Sequence, residues 1–360
     1  MTQVRGTPRK RGYFFPAEWE PHEGTWIGWP HNRNDWPGKL GAVRWVYGEI
    51  ARHLTAGEVL NVLAPTKDIE RQARRVFLDA GATFERVRFF RIPTNRSWTR
   101  DSGPLFLKHP SGSVAVAHFR FDAWAKYPDY AKDAKVPRRV AERLSMPVFT
   151  TTFSLEGGAF DTNGNGAVMT TEECMLDRVT QARNPTLNRR QIERTLHDYL
   201  GTSEVIWLGR GIKGDDTHGH VDDFCRFANT ATLVLCEAKN AADPNYEALE
   251  ENRERLEATR FEVVRLPMPS PLFFKGRQLP ASYANFYIGN ASVLVPTFND
   301  PQDRVALGIL SELFPDRTVV GIHAVDLVWG LGALHCLTQQ QPAVTSSAVS
   351  PQASESSVVA

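Results

Sequence analysis

Apolar residues recur every three or four positions in five separate stretches of the chain. Within 66–80, Ile69, Ala73, Val76 and Phe77 fall on one face, and Gly81 stands just past the end. That spacing predicts an amphipathic helix with a glycine stop. The same period marks 135–144, 187–200, 246–259 and 302–314, with Pro185 and Pro301 ahead of two of them and Gly201 after one. A short run rich in Val, Ile and Phe follows each helix, at 86–92, 147–153, 205–208, 261–266 and 317–322. These runs read as strands, as do 58–63, 114–121, 230–236 and 291–295. The helices stand about 55 to 70 residues apart, which predicts an α/β architecture built from a repeated strand–helix–strand unit. A doubly wound sheet would alternate in the same way. No Pro/Gly/Ser-rich linker divides the chain, so one domain is expected over 1–342. The remainder, 343–360, carries Gln, Ser, Ala and Val with no aromatic, and reads as a disordered tail.

Charge and cysteine usage narrow the partners. The 360 residues carry 42 Lys+Arg against 41 Asp+Glu, a formal charge of +1, which argues against nucleic acid or an acidic membrane as partner. No stretch is apolar over the length a membrane-spanning helix needs, and the opening residues show no apolar core of a secretory signal. Cys174, Cys225, Cys236 and Cys336 form no C-x-x-C pair, so a zinc ribbon or thioredoxin-like site is not expected. A reducing, cytoplasmic setting fits them. Gly209, Gly211 and Gly214 spell the dinucleotide-binding spacing, but no helical pattern follows, so nucleotide binding is not expected there.

Reactive side chains gather in four loop-like segments. The first holds Trp98, Arg100 and Asp101 before Gly103 and Pro104; Asp101 could equally be a turn aspartate. The second, Glu156 followed by Gly157 and Gly158, allows close backbone approach to a ligand or simply a tight turn. The third packs Asp215, Asp216, His218, His220, Asp222 and Asp223 into nine residues. Extended backbone would turn His218, His220 and Asp222 to one side, as metal ligands or as a general acid/base among carboxylates. The fourth sets Cys336 beside Gly330 and Gly332, as a nucleophile or a small buried hydrophobe. Cys236 and Cys225 read as buried hydrophobes. A cysteine, a histidine and three carboxylates together suit a cationic electrophile, a guanidinium, which carboxylates hold bidentately.

The ordered set W-x-R-D, E-G-G, G-H-V-D and H-C-x-T-Q-Q resembles the agmatine deiminase and bacterial peptidyl-arginine deiminase family of the guanidine-modifying pentein superfamily. The opening F-P-A-E-W-E-P-H-E-G-T-W at 15–26 resembles it too. The resemblance implies a pentein β/α propeller, five pseudo-symmetric ββαβ units around a central site. It implies Cys336 as nucleophile, His220 as general acid/base, Asp101 and Asp222 as guanidinium clamps, Glu156 as the acid supporting guanidinium and histidine, and Trp98 as a channel-lining aromatic. The implied reaction is hydrolysis of agmatine to N-carbamoylputrescine and ammonia through a cysteine thiouronium, within arginine and putrescine metabolism, with no cofactor or metal. The partner is then a small guanidino molecule, with homo-oligomerisation left open. Two positions depart from the family pattern. Asp216 replaces the Glu that binds the amine, and G-L-G-A-L-H-C replaces G-G-G-N-I-H-C, placing Leu331 and Ala333 in the loop. Asp216 is expected to hold an ammonium and favour agmatine over arginine. The rival readings are deimination of peptidyl-arginine or another guanidino compound, a metal-dependent hydrolase using His218, His220 and Asp222, and a non-catalytic binding module.

Overall fold

A computed structural model describes residues 3–344. Strand β1 (His22–Gly28) runs through α1 (Leu40–Leu54) to β2 (Val59–Leu63), and α2 (Lys67–Asp79) adds β3 (Val87–Phe90) at the edge. A single turn, α3 (Thr99–Ser102), precedes the antiparallel strands β4 (Leu105–Lys108) and β5 (Val114–Arg120); α4 (Val136–Arg143) then crosses to a parallel β6 (Val148–Ser154). The same plan recurs in β7 (Phe160–Thr162), β8 (Ala167–Thr171), the short α5 (Glu172–Leu176), α6 (Arg189–Leu200) and β9 (Glu204–Leu208). It recurs in β10 (Cys225–Phe227), β11 (Thr232–Glu237), α7 (Tyr246–Glu257) and β12 (Glu262–Pro267). After a small hairpin, β13 (Phe273–Phe274) with β14 (Arg277–Gln278), comes β15 (Tyr287–Ile288), β16 (Ser292–Thr297), α8 (Gln302–Leu313) and β17 (Thr318–His323). Finally α9 (Leu334–Leu337) leads into β18 (Thr338–Pro342), which pairs antiparallel with β1. The last strand therefore completes the first unit, and five ββαβ units result.

Local chemistry explains where these elements start and stop. The Thr66 side chain accepts from the Ile69 N–H at the start of α2, which buries Ala73 and Phe77. Asn188 and Gln191 form a reciprocal capping box on α6, and Gly201 closes it at φ 71°. The pattern-based expectation missed α1. Its Val43, Val46, Tyr47, Ile50, Ala51 and Leu54 are all buried, the spacing of one helical face, but Gly41 and Gly48 dilute its helix propensity. This corrects the count: α1, joining a middle strand to its parallel neighbour, is the counterpart of α4, α6, α7 and α8, whereas α2 is an addition. The first strand of each unit was not anticipated either. Those strands are short and mostly buried, so they lack the in–out alternation that betrays a strand. The expected tail lies, from 345 onward, outside the described residues. Among the described residues no helix is long and apolar enough to cross a membrane.

One feature of the repeat positions chemistry. The segment just before the first strand of each unit carries Asp101 (before β4), Glu156 to Gly158 (before β7), His220 to Asp223 (before β10), Asn285 (before β15) and Cys336 (before β18). Five equivalent loops thus deliver their side chains to one place.

Candidate active site

Cys336 sits in α9 at the floor of a cavity of about 220 Å³, whose wall includes Trp98, Asp101, Trp124, Asp216 and Arg277. Its backbone is fixed by Asn285, whose Oδ1 accepts from the N–H groups of His335 (3.0 Å) and Cys336 (3.4 Å). The Asn285 amide also donates to the Cys336 sulfur at 3.2 Å and to Asp223 Oδ1 at 3.0 Å. Burial pushes the thiol well above its ordinary range, and Asp222, Asp223 and Asp101 push it further.

Around the sulfur stand carboxylates whose free atoms face inward. Asp101 accepts from the Trp124 indole N–H at 2.8 Å and from the Gly158 N–H at 3.0 Å. Burial moves its carboxyl up to about 6, with Asp222 and Glu156 adding to the shift and His220 opposing it. Trp124 is held there by left-handed backbone at Ala123, Trp124 and Ala125 (φ 51°, 61° and 51°), a local strain of the kind that collects at functional sites. His220 has acids on every side, at 3.5 Å from Glu156, 3.8 Å from Asp101 and 3.9 Å from Asp222. Burial alone would disfavour its imidazolium, but Asp101 and Glu156 hold the ring well above its usual range. Both His220 nitrogens and Asp222 Oδ1 are buried without a hydrogen-bond partner, a rare condition in a native interior. A Cβ built on Gly158 would lie 2.6 Å from His220 Nδ1, 2.9 Å from Asp222 Oδ1 and 3.0 Å from Asp101 Oδ1. These atoms crowd Gly158 so closely that any Cβ would collide with them, and only glycine lets the three converge.

Behind this floor the charges are compensated. Arg183 Nε lies 3.3 Å from both Glu156 oxygens. Burial would raise the Glu156 carboxyl, yet Arg183 and then His220 bring it down to about 2. His335 bridges two acids, with one ring nitrogen 2.6 Å from Asp222 Oδ2 and the other 2.8 Å from Glu18 Oε2. Glu18 in turn takes Arg100 at 2.9 Å and Arg226 at 3.1 Å.

The mouth differs. Asp216 Oδ1 accepts from Lys126 Nζ at 2.7 Å and from an Arg277 Nη at 2.6 Å, while Oδ2 accepts from the Tyr127 hydroxyl at 2.6 Å. Phe274, from the β13–β14 hairpin, stacks on Trp329 with ring centroids 3.6 Å apart. Trp98 lines the wall, its ring pressed against Gly330 and Gly332.

Of the residues singled out in the sequence, Cys336, His220, Asp101, Asp222, Glu156, Trp98 and Asp216 all border this one cavity or its floor. Two expectations need correction. Segment 215–223 is not extended: His218 and Gly219 are left-handed (φ 67° and 90°) and 221–223 form a 3-10 turn. His218 therefore turns away to Asp177 and Glu173, and the metal set His218, His220 and Asp222 does not converge. Asp216 is not a free acid awaiting an ammonium, because two cations and a tyrosine already occupy it. Asn285, His335, Glu18, Arg183 and Trp124 were missed. For Asn285 the repeat itself was the available signal, since the other four units each supply a residue at the equivalent position. Cys174 was missed too; its sulfur lies within 4.8 Å of ligand atoms of Glu156 and His220.

Residues 14–342 match the family model described as Porphyromonas-type peptidyl-arginine deiminase. Agmatine deiminase of Pseudomonas aeruginosa strain LESB58 is 34% identical over 374 residues, covering 95% of this chain and 99% of its own. The Enterococcus faecalis agmatine deiminase structure superposes with a TM-score of 0.88 at 30% identity, covering 96% of this chain and 100% of its own. Campylobacter jejuni agmatine deiminase with substrate bound gives a TM-score of 0.84 at 29% identity, covering 91% and 96%. A Microseira wollei amidinotransferase, at 10% identity and a TM-score of 0.51, shares the fold alone.

Proposed function

The chain belongs to the Porphyromonas-type peptidyl-arginine deiminase family, and we propose that it hydrolyses the guanidinium of agmatine to N-carbamoylputrescine and ammonia. The observation that carries the reading is the convergence of His220 Nδ1, Asp222 Oδ1 and Asp101 Oδ1 beside Gly158 and a buried thiol, with His220 and Asp222 left unpartnered. A planar cation set between these acids gives Asp222 Oδ1 the donor it lacks and supplies positive charge among them at once. Whole-length similarity to agmatine deiminases supports agmatine as the substrate.

Substrate binding activates the nucleophile. Acids that raise the free thiol are neutralised when the guanidinium enters between Asp101 and Asp222, so the thiol proton leaves to solvent and the thiolate forms in contact with its electrophile. The Asn285 N–H donates to that sulfur as charge builds on it. Sulfur adds to the guanidinium carbon, the C–N bond to a terminal nitrogen breaks, and His220 gives its proton to the departing ammonia, leaving a thiouronium. Neutral His220 then takes a proton from water, and the hydroxide adds to the same carbon. The C–S bond breaks as the adduct's hydroxyl proton passes to solvent, where it protonates the ammonia, releasing the ureido product and the thiolate. Water and guanidinium become urea and ammonium, with no redox change. Glu156, anchored by Arg183, orients His220 from the far side. The four free thiols suit a reducing, cytoplasmic setting.

Ammonia and ureido product are measured for wild type and Cys336→Ala with agmatine in excess. Loss of about 10⁴-fold or more is expected, together with a covalent adduct in wild type quenched during turnover. Near wild-type turnover by Cys336→Ala would overturn the scheme.

A further inference from the structure

Arg277 lines the mouth of the cavity and Lys126 shares its carboxylate partner, and the donors of both are only partly used. Asp216 is one carboxylate facing two cations, Lys126 and Arg277, with its remaining oxygen taken by Tyr127. Asp35, a further acid at the mouth, is engaged by Arg96, which also binds Asp129 at 3.0 Å. Among the described residues, Arg277 makes its side-chain hydrogen bonds through one Nη alone, to Asp216 and to the Gly214 carbonyl. Its Nε and second Nη stay open. Lys126 spends one of its three N–H donors on Asp216. Both cations are partly exposed, at 37% for Lys126 and 47% for Arg277, while Asp216 itself is buried at 8%, so either cation can turn toward a ligand while the other keeps the carboxylate paired. Arg277 rides on the hairpin whose Phe274 stacks against Trp329, which sets it across the opening.

An ammonium arriving here must displace a cation from Asp216. A carboxylate meets unspent donors as they stand, including a guanidinium edge that matches it bidentately. We propose that the site, beyond agmatine, deiminates ω-guanidino carboxylic acids, with the guanidinium at Cys336 and the carboxylate received by Arg277 and Lys126. This rests on the deiminase reading of the inner site. The acid undergoes the same exchange of a guanidinium nitrogen for water, giving an ω-ureido acid and ammonium.

The test compares agmatine, 5-guanidinopentanoate and pentylguanidine, which place an ammonium, a carboxylate and a methyl at the end of the same spacer. Wild type should use the acid about tenfold or more better than pentylguanidine in kcat/KM, and Arg277→Gln should cut that acid-to-alkyl ratio about tenfold. Lys126→Gln should cut it as well, and for both variants the agmatine-to-alkyl ratio should rise. An acid no better than pentylguanidine in wild type would overturn the proposal, as would equal losses on all three compounds in both variants. Turnover of agmatine without the acid sinks this inference and leaves the proposed function standing. Turnover of the acid without agmatine does the reverse, and no turnover of any compound sinks both.

Discussion

The floor and the mouth of the cavity handle charge in opposite ways. At the floor, His220, Asp222, Glu156 and Asp101 are buried and come from three different loops. Atoms of His220 and Asp222 are left without partners. At the mouth, Asp216 has more partners than it needs, and they are long side chains half in water. Unmet valence in a rigid interior is costly unless a ligand supplies it, so the floor is shaped for one chemistry. Paired charge at a wet rim is cheap to rearrange, so the mouth can be retuned without disturbing the fold. Catalysis and specificity are separated along the depth of one cavity.

The largest expected effect tests whether the floor is as rigid as this contrast requires. Arg183→Met removes the cation from a buried Glu156 and should cost about 3–5 kcal/mol of stability near neutral pH, the usual penalty for an orphaned buried charge. The sign with pH follows from the carboxyl at about 2 in the fold against an ordinary 4.5. The pair's contribution is full above 4.5 and is lost as pH falls through 2. In the variant Glu156 titrates far higher, so the gap to wild type in denaturation midpoint should narrow as pH drops. A gap that is small at pH 7, or constant with pH, would mean the floor tolerates unpaired charge.

Next comes Asn285, which touches the sulfur. Asn285→Ala should lower kcat about 10²–10³-fold, the usual loss for one donor to a developing anion. A merely structural residue would leave the thiol's own titration alone. Here, alkylation of Cys336 followed against pH should shift to still higher pH, and an unmoved alkylation profile would restrict Asn285 to holding α9.

The difference in depth also governs what could be read from the sequence. Each floor residue lies in a short local motif, so Cys336, His220, Asp222, Asp101 and Glu156 were visible as residue types in order. Asn285 was not, because a single asparagine in an apolar run has no motif of its own. The mouth was misread for a different reason. Asp216 belongs to a legible motif, but its partners are 90, 89 and 61 residues away in the chain, and no spacing rule connects them. His218 failed on backbone rather than chemistry, since a left-handed residue breaks the alternation that placed it with His220. In the fold, five units were expected and five are present, although α1 was overlooked and α2 counted in its place.

A smaller effect separates the two regions by pH. Asp101 must be ionised to hold a cation, and burial places its carboxyl at about 6 in the free site. Below that pH, kcat/KM for a guanidinium substrate should fall about tenfold per unit. A bound cation favours the ionised form, so the same limb should move to lower pH in kcat. Burial would raise the Asp216 carboxyl, but Lys126, Tyr127 and Arg277 hold it below the ordinary aspartate range, so Asp216→Asn should leave the limb in place. A limb near the ordinary aspartate value would show that the floor does not raise Asp101.

The smallest effect concerns a strained residue at the mouth. Leu331 lines the cavity with φ 72° and ψ 30°, a left-handed conformation that costs a branched residue about 1–2 kcal/mol. Glycine would remove that cost, but it gives up roughly 0.5–1 kcal/mol through the greater freedom of the unfolded chain. It also loses the contact of a partly buried leucine. Leu331→Gly should therefore change stability by no more than about 1 kcal/mol in either direction, seen as a small shift in Tm. Its effect on turnover should appear in KM for pentylguanidine, whose alkyl end has nothing else polar to seek, and hardly in kcat, since Cys336 and His220 are held from other loops. A large fall in kcat would mean that the Gly330–Gly332 turn positions the nucleophile as well as walling the mouth, and the separation of specificity from chemistry would fail at that loop.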